Sequence, residues 1–222
     1  MKKYIERTQR SRAMTRELKK LFKDKKPATS LSHTTPWKLL VAVILSAQCT
    51  DKRVNEVTKV LFKKYKTLDD YVCARKSEFE QDIKSTGFYK NKAKNILSAA
   101  KKIKKEFGGA VPDSMEQLIT LPGVARKTAN VVLCNAFGKT EGIPVDTHVR
   151  RFAIRFDLTD SKNPDRIEKD LMELLPKKDW CAFSHYLIYY GKEVCPAHKH
   201  ACEDHPLTRL YPRAAHSWPK SR

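Results

Sequence analysis

Apolar residues recur at steps of three and four along nearly the whole chain, and no stretch sustains an alternation of apolar and polar residues. This spacing gathers apolar side chains on one face of an α-helix, whereas a half-buried strand requires alternation. In the segment 51–65, for example, Val54, Val57 and Leu61 fall on one helical face. The sequence therefore predicts an all-α protein of about ten helices with short connections.

Short polar residues indicate where several of these helices begin. Asn163 followed by proline predicts a helix start, because Asn caps free N–H groups and proline fits the first helical position. Asp179 predicts another capped start. Ser77 and Asp113, each with a glutamate three residues later, predict two capping boxes.

Basic residues exceed acidic ones by a wide margin, since 45 Lys and Arg against 25 Asp and Glu give a formal net charge of +20. Many of them fall in residues 1–26 and 89–107. A clustered excess of this size repels itself in the folded state unless a polyanion neutralises it. The charge therefore indicates a nucleic-acid partner, with a generally basic and highly soluble surface as the alternative.

A membrane partner is not expected. The longest apolar run, residues 39–47, is far shorter than the roughly 20 residues needed to cross a bilayer. The basic clusters lack the aromatic apolar face of an interfacial helix, and the amino end lacks a secretory signal. We therefore expect an intracellular protein, cytoplasmic and associated with the nucleoid in a bacterium, or nuclear in a eukaryote.

The segment EQLITLPGVARKTANVV, residues 116–132, has the pattern of a helix, a tight Pro-Gly turn and a second helix. Such a turn leaves backbone N–H groups pointing outward at the positive end of the second helix, where they bind one phosphate oxygen. This contact positions DNA without selecting a base sequence. The candidate DNA-binding residues are Gly123, Val124, Ala125 and Arg126.

Four segments together carry a resemblance to a known family. They are LLVAVILSAQCTD (39–51), TGFYKNKAKNI (86–96), LPGVARKTANVVLCNAFG (121–138) and IPVDTHVRR (143–151). In this order and near this spacing they resemble the endonuclease III family of DNA glycosylases. The resemblance implies two helical domains with a helix-hairpin-helix motif and a DNA-binding cleft between them. Residues 29–139 would form a six-helix domain with the hairpin, and residues 1–28 with 140–222 a second helical domain.

The resemblance also implies a function. It is that of a bifunctional DNA glycosylase and AP lyase of base excision repair, which releases oxidised pyrimidines and cleaves the strand 3′ to the abasic site by β-elimination. The implied partner is double-stranded DNA with a damaged base or an abasic site, bound by a monomer. Three alternatives remain: another glycosylase specificity of the helix-hairpin-helix superfamily, a DNA-binding protein without catalysis, and a zinc-dependent nucleic-acid binder.

Lys127 corresponds by this resemblance to the family's nucleophile, in the segment GVARKTA. An amine attacks carbon only when it is uncharged. We expect burial against small apolar neighbours, the positive end of the helix and the nearby charge of Arg126 to favour the neutral form. The alternative is a surface lysine that only binds a phosphate.

Asp146, in the segment PVDTHVRR, corresponds to the family's essential carboxylate. In ionised form beside the cleft, it would stabilise positive charge on the sugar and assist proton transfer at the amine. An aspartate before a helical run is also a good N-cap, so we expect Asp146 to cap its helix as well.

Gln48 and Phe88 correspond to residues that contact DNA around an extruded base. The Gln48 amide would fill the gap and hydrogen-bond the orphaned partner base, and Phe88 would wedge against the other strand. The alternatives are a polar residue at a helix end for Gln48 and ordinary packing into the core for Phe88.

The chain departs from the family in the hairpin turn. The family's turn usually reads Gly-Val-Gly, and here Ala125 replaces the second glycine. If Ala125 already has a right-handed helical conformation, the alanine costs little and its N–H stays available. We therefore expect the phosphate site to be retained.

A second departure concerns metal binding. Many relatives bind a [4Fe–4S] cluster through four cysteines at fixed spacing, and here Cys195 and Cys202 are followed by His205 and Tyr211 at the last two positions. Such clusters normally require four cysteine ligands. We therefore expect no cluster and no other cofactor, with zinc held by Cys195, His198, Cys202 and His205 as the weaker alternative.

Overall fold

A computed structural model of the chain describes residues 1–218, and this range folds into α-helices and 3₁₀ turns without a β-strand. The prediction of an all-α protein is confirmed. The α-helices of this range are α1 (Lys2–Leu21), α2 (Pro36–Ser46), α3 (Asp51–Lys64), α4 (Leu68–Cys73), α5 (Lys76–Asp82), α6 (Tyr89–Glu106), α7 (Met115–Leu118), α8 (Arg126–Phe137), α9 (Thr147–Arg155), α10 (Pro164–Leu174), α11 (Trp180–Glu193) and α12 (Pro206–Leu210). None of these helices is both long and apolar enough to pass through a bilayer.

The chain divides into two compact units. One is Thr29–Glu141, which we call the hairpin unit, and the other combines Met1–Ala28 with Gly142–Arg222, which we call the terminal unit. The unit boundary predicted after residue 139 lies two residues before the observed boundary, which follows Glu141. The hairpin unit contains seven α-helices rather than the predicted six, because α7 is a separate single turn.

Helix α2 is the central helix of the hairpin unit. It begins after Thr35, whose hydroxyl accepts a hydrogen bond from a first-turn backbone N–H at 3.2 Å, and Pro36 fills the first helical position. Leu39 and Leu45 are fully buried, and full burial of such a side chain contributes about 1.5–3 kcal/mol. Because α2 packs against α3, α6 and α8, it fixes the second helix of the hairpin on the core.

The terminal unit joins the two ends of the chain in one core. Helix α1 packs against α10, α11 and α12, and its Met14 and Leu18 are fully buried in the same cluster as Phe152. Nearer the amino end, the guanidinium carbon of Arg10 lies 3.9 Å from the ring centroid of Tyr211, a cation–π contact. The amino-terminal helix therefore holds part of the carboxyl-terminal segment in place.

Helices begin directly after two of the four predicted positions, Asn163 and Asp179, and the predicted side-chain cap is made at one of the four. Asn163 caps α10, with its side-chain oxygen accepting two backbone N–H bonds at 2.9 and 3.2 Å. Asp179 makes no cap bond, because its carboxylate accepts a hydrogen bond from Lys19 Nζ at 2.6 Å. Ser77 lies inside α5, which begins one residue earlier, and the cap predicted at Asp113 is made by the next residue, Ser114.

Candidate functional site

The hairpin turn exposes backbone at the start of α8. Gly123 has a φ of +79°, a left-handed conformation that glycine adopts without a steric penalty. Gly123, Ala125 and Arg126 are exposed. The Val124 side chain is buried, and the Val124 N–H already donates to the carbonyl of Leu121 at 3.1 Å. The prediction that Val124 contributes to phosphate binding is therefore corrected, and the other three residues remain candidates.

Ala125 is the N-cap residue of α8 and has an extended conformation, with φ of −88° and ψ of 169°. The condition of a right-handed helical conformation is therefore not met at this position. Alanine is still well tolerated, because a negative φ in the extended region suits any residue. The conformation that requires glycine lies two residues earlier, at Gly123.

Gly123→Ala should destabilise the hairpin turn. Alanine at this φ is strained, and its Cβ would lie 2.8 Å from the Cβ of Asn95. Gly138 has a φ of +64° with open space around the missing Cβ, so Gly138→Ala carries the backbone strain alone, about 1 kcal/mol. We expect urea unfolding to show the larger loss for Gly123→Ala, and DNA affinity to fall only in that variant. Equal losses in the two variants would contradict close packing beneath Gly123.

Lys127 is the second residue of α8, and its side chain is exposed. The predicted burial against small apolar neighbours is therefore wrong for the free protein, because the buried Ala129 lies on the opposite face of the helix. The position in the first turn remains, and there the helix dipole disfavours an additional positive charge. The neighbouring Arg126 is exposed too, with its Nη2 lying 3.4 Å from the carbonyl of Glu141. An exposed amine in this turn is accessible to a DNA sugar.

Asp146 caps α9, as predicted. Its Oδ1 accepts a hydrogen bond from the backbone N–H of Val149 at 2.8 Å, and its side chain is half-buried. His185 of α11, which no sequence motif singled out, interacts electrostatically with this carboxylate. Burial lowers the pKa of His185 to about 4, although the charge of Asp146 acts in the opposite direction. His185 is therefore neutral at pH 7 and leaves the negative charge of Asp146 in place.

Gln48 and Phe88 both lie in exposed turns with a left-handed backbone. Gln48 has a φ of +53° shortly after α2, and Phe88 has a φ of +48° directly before α6. Such values are uncommon outside glycine, and strained turns of this kind cluster at functional sites. The Phe88 side chain is 64% exposed, so the alternative that it packs into the core is wrong. Both side chains are free to contact DNA.

Lys92 joins these two turns, and no sequence motif singled it out. Its buried ammonium donates to the carbonyl oxygen of Leu45 at 2.8 Å and to that of Thr86 at 2.7 Å. Leu45 lies three residues before Gln48, and Thr86 lies two residues before Phe88. Burial lowers the pKa of Lys92, yet its ammonium is held by two carbonyls inside the unit. Lys92 is therefore a positioning residue rather than a second nucleophile.

Lys92→Met should loosen both turns, because it removes the ammonium and keeps the aliphatic stem. Two buried carbonyls lose a charged donor, so we expect a loss of about 1–3 kcal/mol in the free energy of unfolding. Backbone hydrogen exchange should accelerate in residues 46–50 and 86–91. The control is Lys94→Met, which alters an exposed lysine of the same helix and should change neither measurement. Unchanged exchange in the Lys92 variant would show that the ammonium does not hold the turns.

The four positions that hold an iron–sulfur cluster in relatives do not fit one here. Cys195 and Cys202 are buried, and the guanidinium of Arg155 donates to their sulfurs at 2.9 and 2.7 Å. Burial raises the pKa of the Cys195 thiol, against the lowering effect of Arg155. Tyr211, at the fourth position, places its ring beneath the guanidinium of Arg10. Because only two of the four positions are cysteines, these residues cannot supply the four thiolates that such a cluster normally requires.

The zinc alternative also changes in the structure. His198, one of its four ligands, is exposed. The ligand atoms that lie within 4.8 Å of one another belong to Cys195, His200 and His205. His200 therefore takes the position that the spacing had assigned to His198.

Comparison with known proteins gives a consistent result. A family profile described as the HhH-GPD superfamily base excision DNA repair protein matches residues 41–177. Endonuclease III of Synechocystis sp. is 50% identical over 214 residues, which cover 96% of this chain and 97% of that protein.

Two solved structures show the same similarity in three dimensions. One is a non-covalent endonuclease III–DNA complex, and the other is a trapped endonuclease III–DNA covalent intermediate. Each is 42% identical to this chain, with a TM-score of 0.86 over 93% of this chain and 96% of the solved one.

Proposed function

This chain belongs to the endonuclease III family of the HhH-GPD superfamily of base excision DNA repair proteins, and we propose that it releases oxidised pyrimidines from double-stranded DNA with Lys127 as its nucleophile. The enzyme is a DNA glycosylase with AP lyase activity. The observation that carries the proposal for Lys127 is its exposed amine in the first turn of α8, directly after the turn at Gly123.

The first chemical step is attack by the Lys127 amine on C1′ of the damaged nucleotide. A bond forms between Nζ and C1′, and the glycosidic bond breaks with its electron pair leaving on the base, which takes up a proton. The nitrogen then loses one proton, and its lone pair forms the C1′–N double bond as the C1′–O4′ bond breaks and the ring oxygen takes up a proton. The product is a protonated imine that joins Lys127 to C1′.

Strand cleavage follows from the imine. Its positive charge acidifies C2′, so a proton leaves C2′ and the electron pair forms the C2′–C3′ double bond. The C3′–O bond breaks, and its electron pair leaves with the 3′ phosphate. Water then hydrolyses the imine and returns the free amine of Lys127.

Asp146 supports both steps by its charge. As a carboxylate it stabilises the positive charge that develops on the sugar when the base leaves, and it accepts a proton from the attacking amine. The neutral state of His185 helps, because a protonated imidazole would offset the carboxylate charge. Asp146 keeps its capping bond to α9 throughout.

DNA binding is divided among three parts of the hairpin unit. The backbone at Gly123, Ala125 and Arg126 binds one phosphate at the positive end of α8. Gln48 fills the space of the extruded base, and Phe88 wedges against the opposite strand. The net charge of +20 supplies attraction to the phosphate backbone that does not depend on sequence.

Borohydride trapping on duplexes that each carry one defined lesion tests the proposal. Borohydride reduces the imine to a stable amine, so a covalent complex reports the chemistry and the substrate together. We expect trapping on thymine glycol, on other oxidised pyrimidines and at abasic sites, and none on undamaged duplex. Release of the base without any trapped complex would contradict a lysine nucleophile, and trapping restricted to damaged purines would contradict the substrate class.

We further propose that the enzyme acts as a monomer on DNA inside the cell, in the cytoplasm of a bacterium or the nucleus of a eukaryote. One chain carries all of the proposed DNA-contacting residues named above, so a second copy is not needed to complete the site. Sedimentation of the enzyme on a short duplex with one abasic site should give one chain per duplex, and two chains per single-site duplex would contradict a monomer.

A further inference from the structure

Three potential metal ligands converge in the carboxyl-terminal segment of the terminal unit. The ligand atoms of Cys195, His200 and His205 all lie within 4.8 Å of one another. Zinc bonds of about 2.0–2.3 Å place ligand atoms roughly 3.3–3.8 Å apart in a tetrahedron. The three side chains therefore need only a small contraction to surround one ion.

The two imidazoles have their lone pairs ready for such an ion. His200 Nδ1 lies 2.8 Å from the carbonyl oxygen of His198, and only a protonated nitrogen bonds a carbonyl, so the Nε2 lone pair is free. This bond to a carbonyl is the usual outer contact of a metal-binding histidine. His200 Nε2 and His205 Nδ1 are buried, and neither has a hydrogen-bond partner within residues 1–218. Buried nitrogens of this kind call for a partner.

The second thiol, Cys202, is not one of the ligand atoms that lie within 4.8 Å of one another, but it is bonded to the same arginine as Cys195. The Arg155 guanidinium donates to both Cys195 Sγ and Cys202 Sγ, and Cys202 is 1% exposed. The two sulfurs therefore lie on one guanidinium group. The ring of Trp218 lies 5.0 Å from that of His200 and 4.1 Å from the Arg155 guanidinium carbon, which closes the site on another side.

We propose that this chain has a zinc site formed by Cys195, His200, Cys202 and His205, in place of the iron–sulfur cluster of its relatives. Two thiolates and two imidazoles are a typical tetrahedral zinc set. Loading replaces the two thiol protons, which pass to solvent, and the thiolates balance the charge of Zn²⁺. The ion is structural, because all four coordination positions are protein ligands, and it fixes the segment from Cys195 to His205.

Metal analysis of the full chain, purified without chelator, is the first test. We expect about one zinc per chain and neither iron nor sulfide. After removal of the metal, titration with Co²⁺ should give the visible bands of tetrahedral cobalt and a thiolate-to-cobalt charge-transfer band. Failure of the folded, metal-free protein to bind either Zn²⁺ or Co²⁺ would overturn the proposal, and so would a brown protein with iron and sulfide.

Variants identify the ligands. His200→Gln and His205→Gln should each weaken zinc binding by about a hundredfold or more, whereas the matched control His198→Gln should bind as the wild type does. Cys202→Ser should reduce the charge-transfer intensity to about half, because one of two thiolates is lost. Circular dichroism checks that each variant is folded, and if Cys202→Ser is not, the wild-type intensity reports the number of thiolates. Zinc binding that persists in the variant carrying both His200→Gln and His205→Gln would refute the site.

Discussion

Lys127→Ala should abolish covalent trapping and strand cleavage on a duplex with an abasic site, while the duplex still binds. The nucleophile carries both reactions, because without the amine no imine forms and C2′ is not acidified. We expect the rate of trapping to fall by about a thousandfold or more. Affinity should change little, because the proposed phosphate contacts at Gly123 and Arg126 remain. Single-turnover kinetics with borohydride measures the rate, and fluorescence anisotropy measures binding.

The control for charge is Lys59→Ala, which removes an exposed lysine from α3 of the same unit. It alters the net charge by the same amount and should leave the trapping rate unchanged. Trapping by Lys127→Ala at the wild-type rate would show that another amine forms the imine. Because Lys127 is exposed in the free protein, burial against apolar neighbours is not what makes its amine reactive.

The apolar pattern predicts the helices well and their first residues less well. A helix buries one face, so its apolar residues recur every three to four positions and the helix can be recognised from the sequence. A cap depends on what else a polar side chain can reach. Asp179 stands at a helix start but bonds Lys19, which is distant in the sequence. The side chain of Asn163 instead accepts hydrogen bonds from two backbone N–H groups of the helix that follows it, and so caps that helix.

The candidate site shows the same division. Gly123 and Lys127 follow from a contiguous motif, because the turn and the helix start are local structures. The role of Lys92 does not follow from a local motif, because its two acceptors lie 47 and 6 residues away in the sequence. In the sequence alone, a lysine in a helix with many other lysines cannot be distinguished from a lysine exposed to solvent. The zinc ligands are also hard to predict, because the spacing selects His198 whereas the fold brings His200 close to Cys195 and His205.

Asp146 presents two roles that a pair of substitutions separates. Asparagine is about as good an N-cap as aspartate, and its amide oxygen can accept the same bond from Val149 N–H. Asp146→Asn should therefore keep the free energy of unfolding close to that of the wild type. Asp146→Ala loses the cap and should lose about 1 kcal/mol. Urea unfolding distinguishes the two variants.

Catalysis should not follow this pattern, because both variants lack the negative charge. A positioned acid–base group contributes about a hundredfold to ten-thousandfold, so we expect both variants to lose base release and trapping to a similar extent. Asn163→Ala is the control for a lost cap, since it removes the cap of α10 in the same unit and should retain full activity. If Asp146→Asn released the base at the wild-type rate while Asp146→Ala did not, the cap would be the whole role of Asp146, and the proton of Lys127 would need another acceptor.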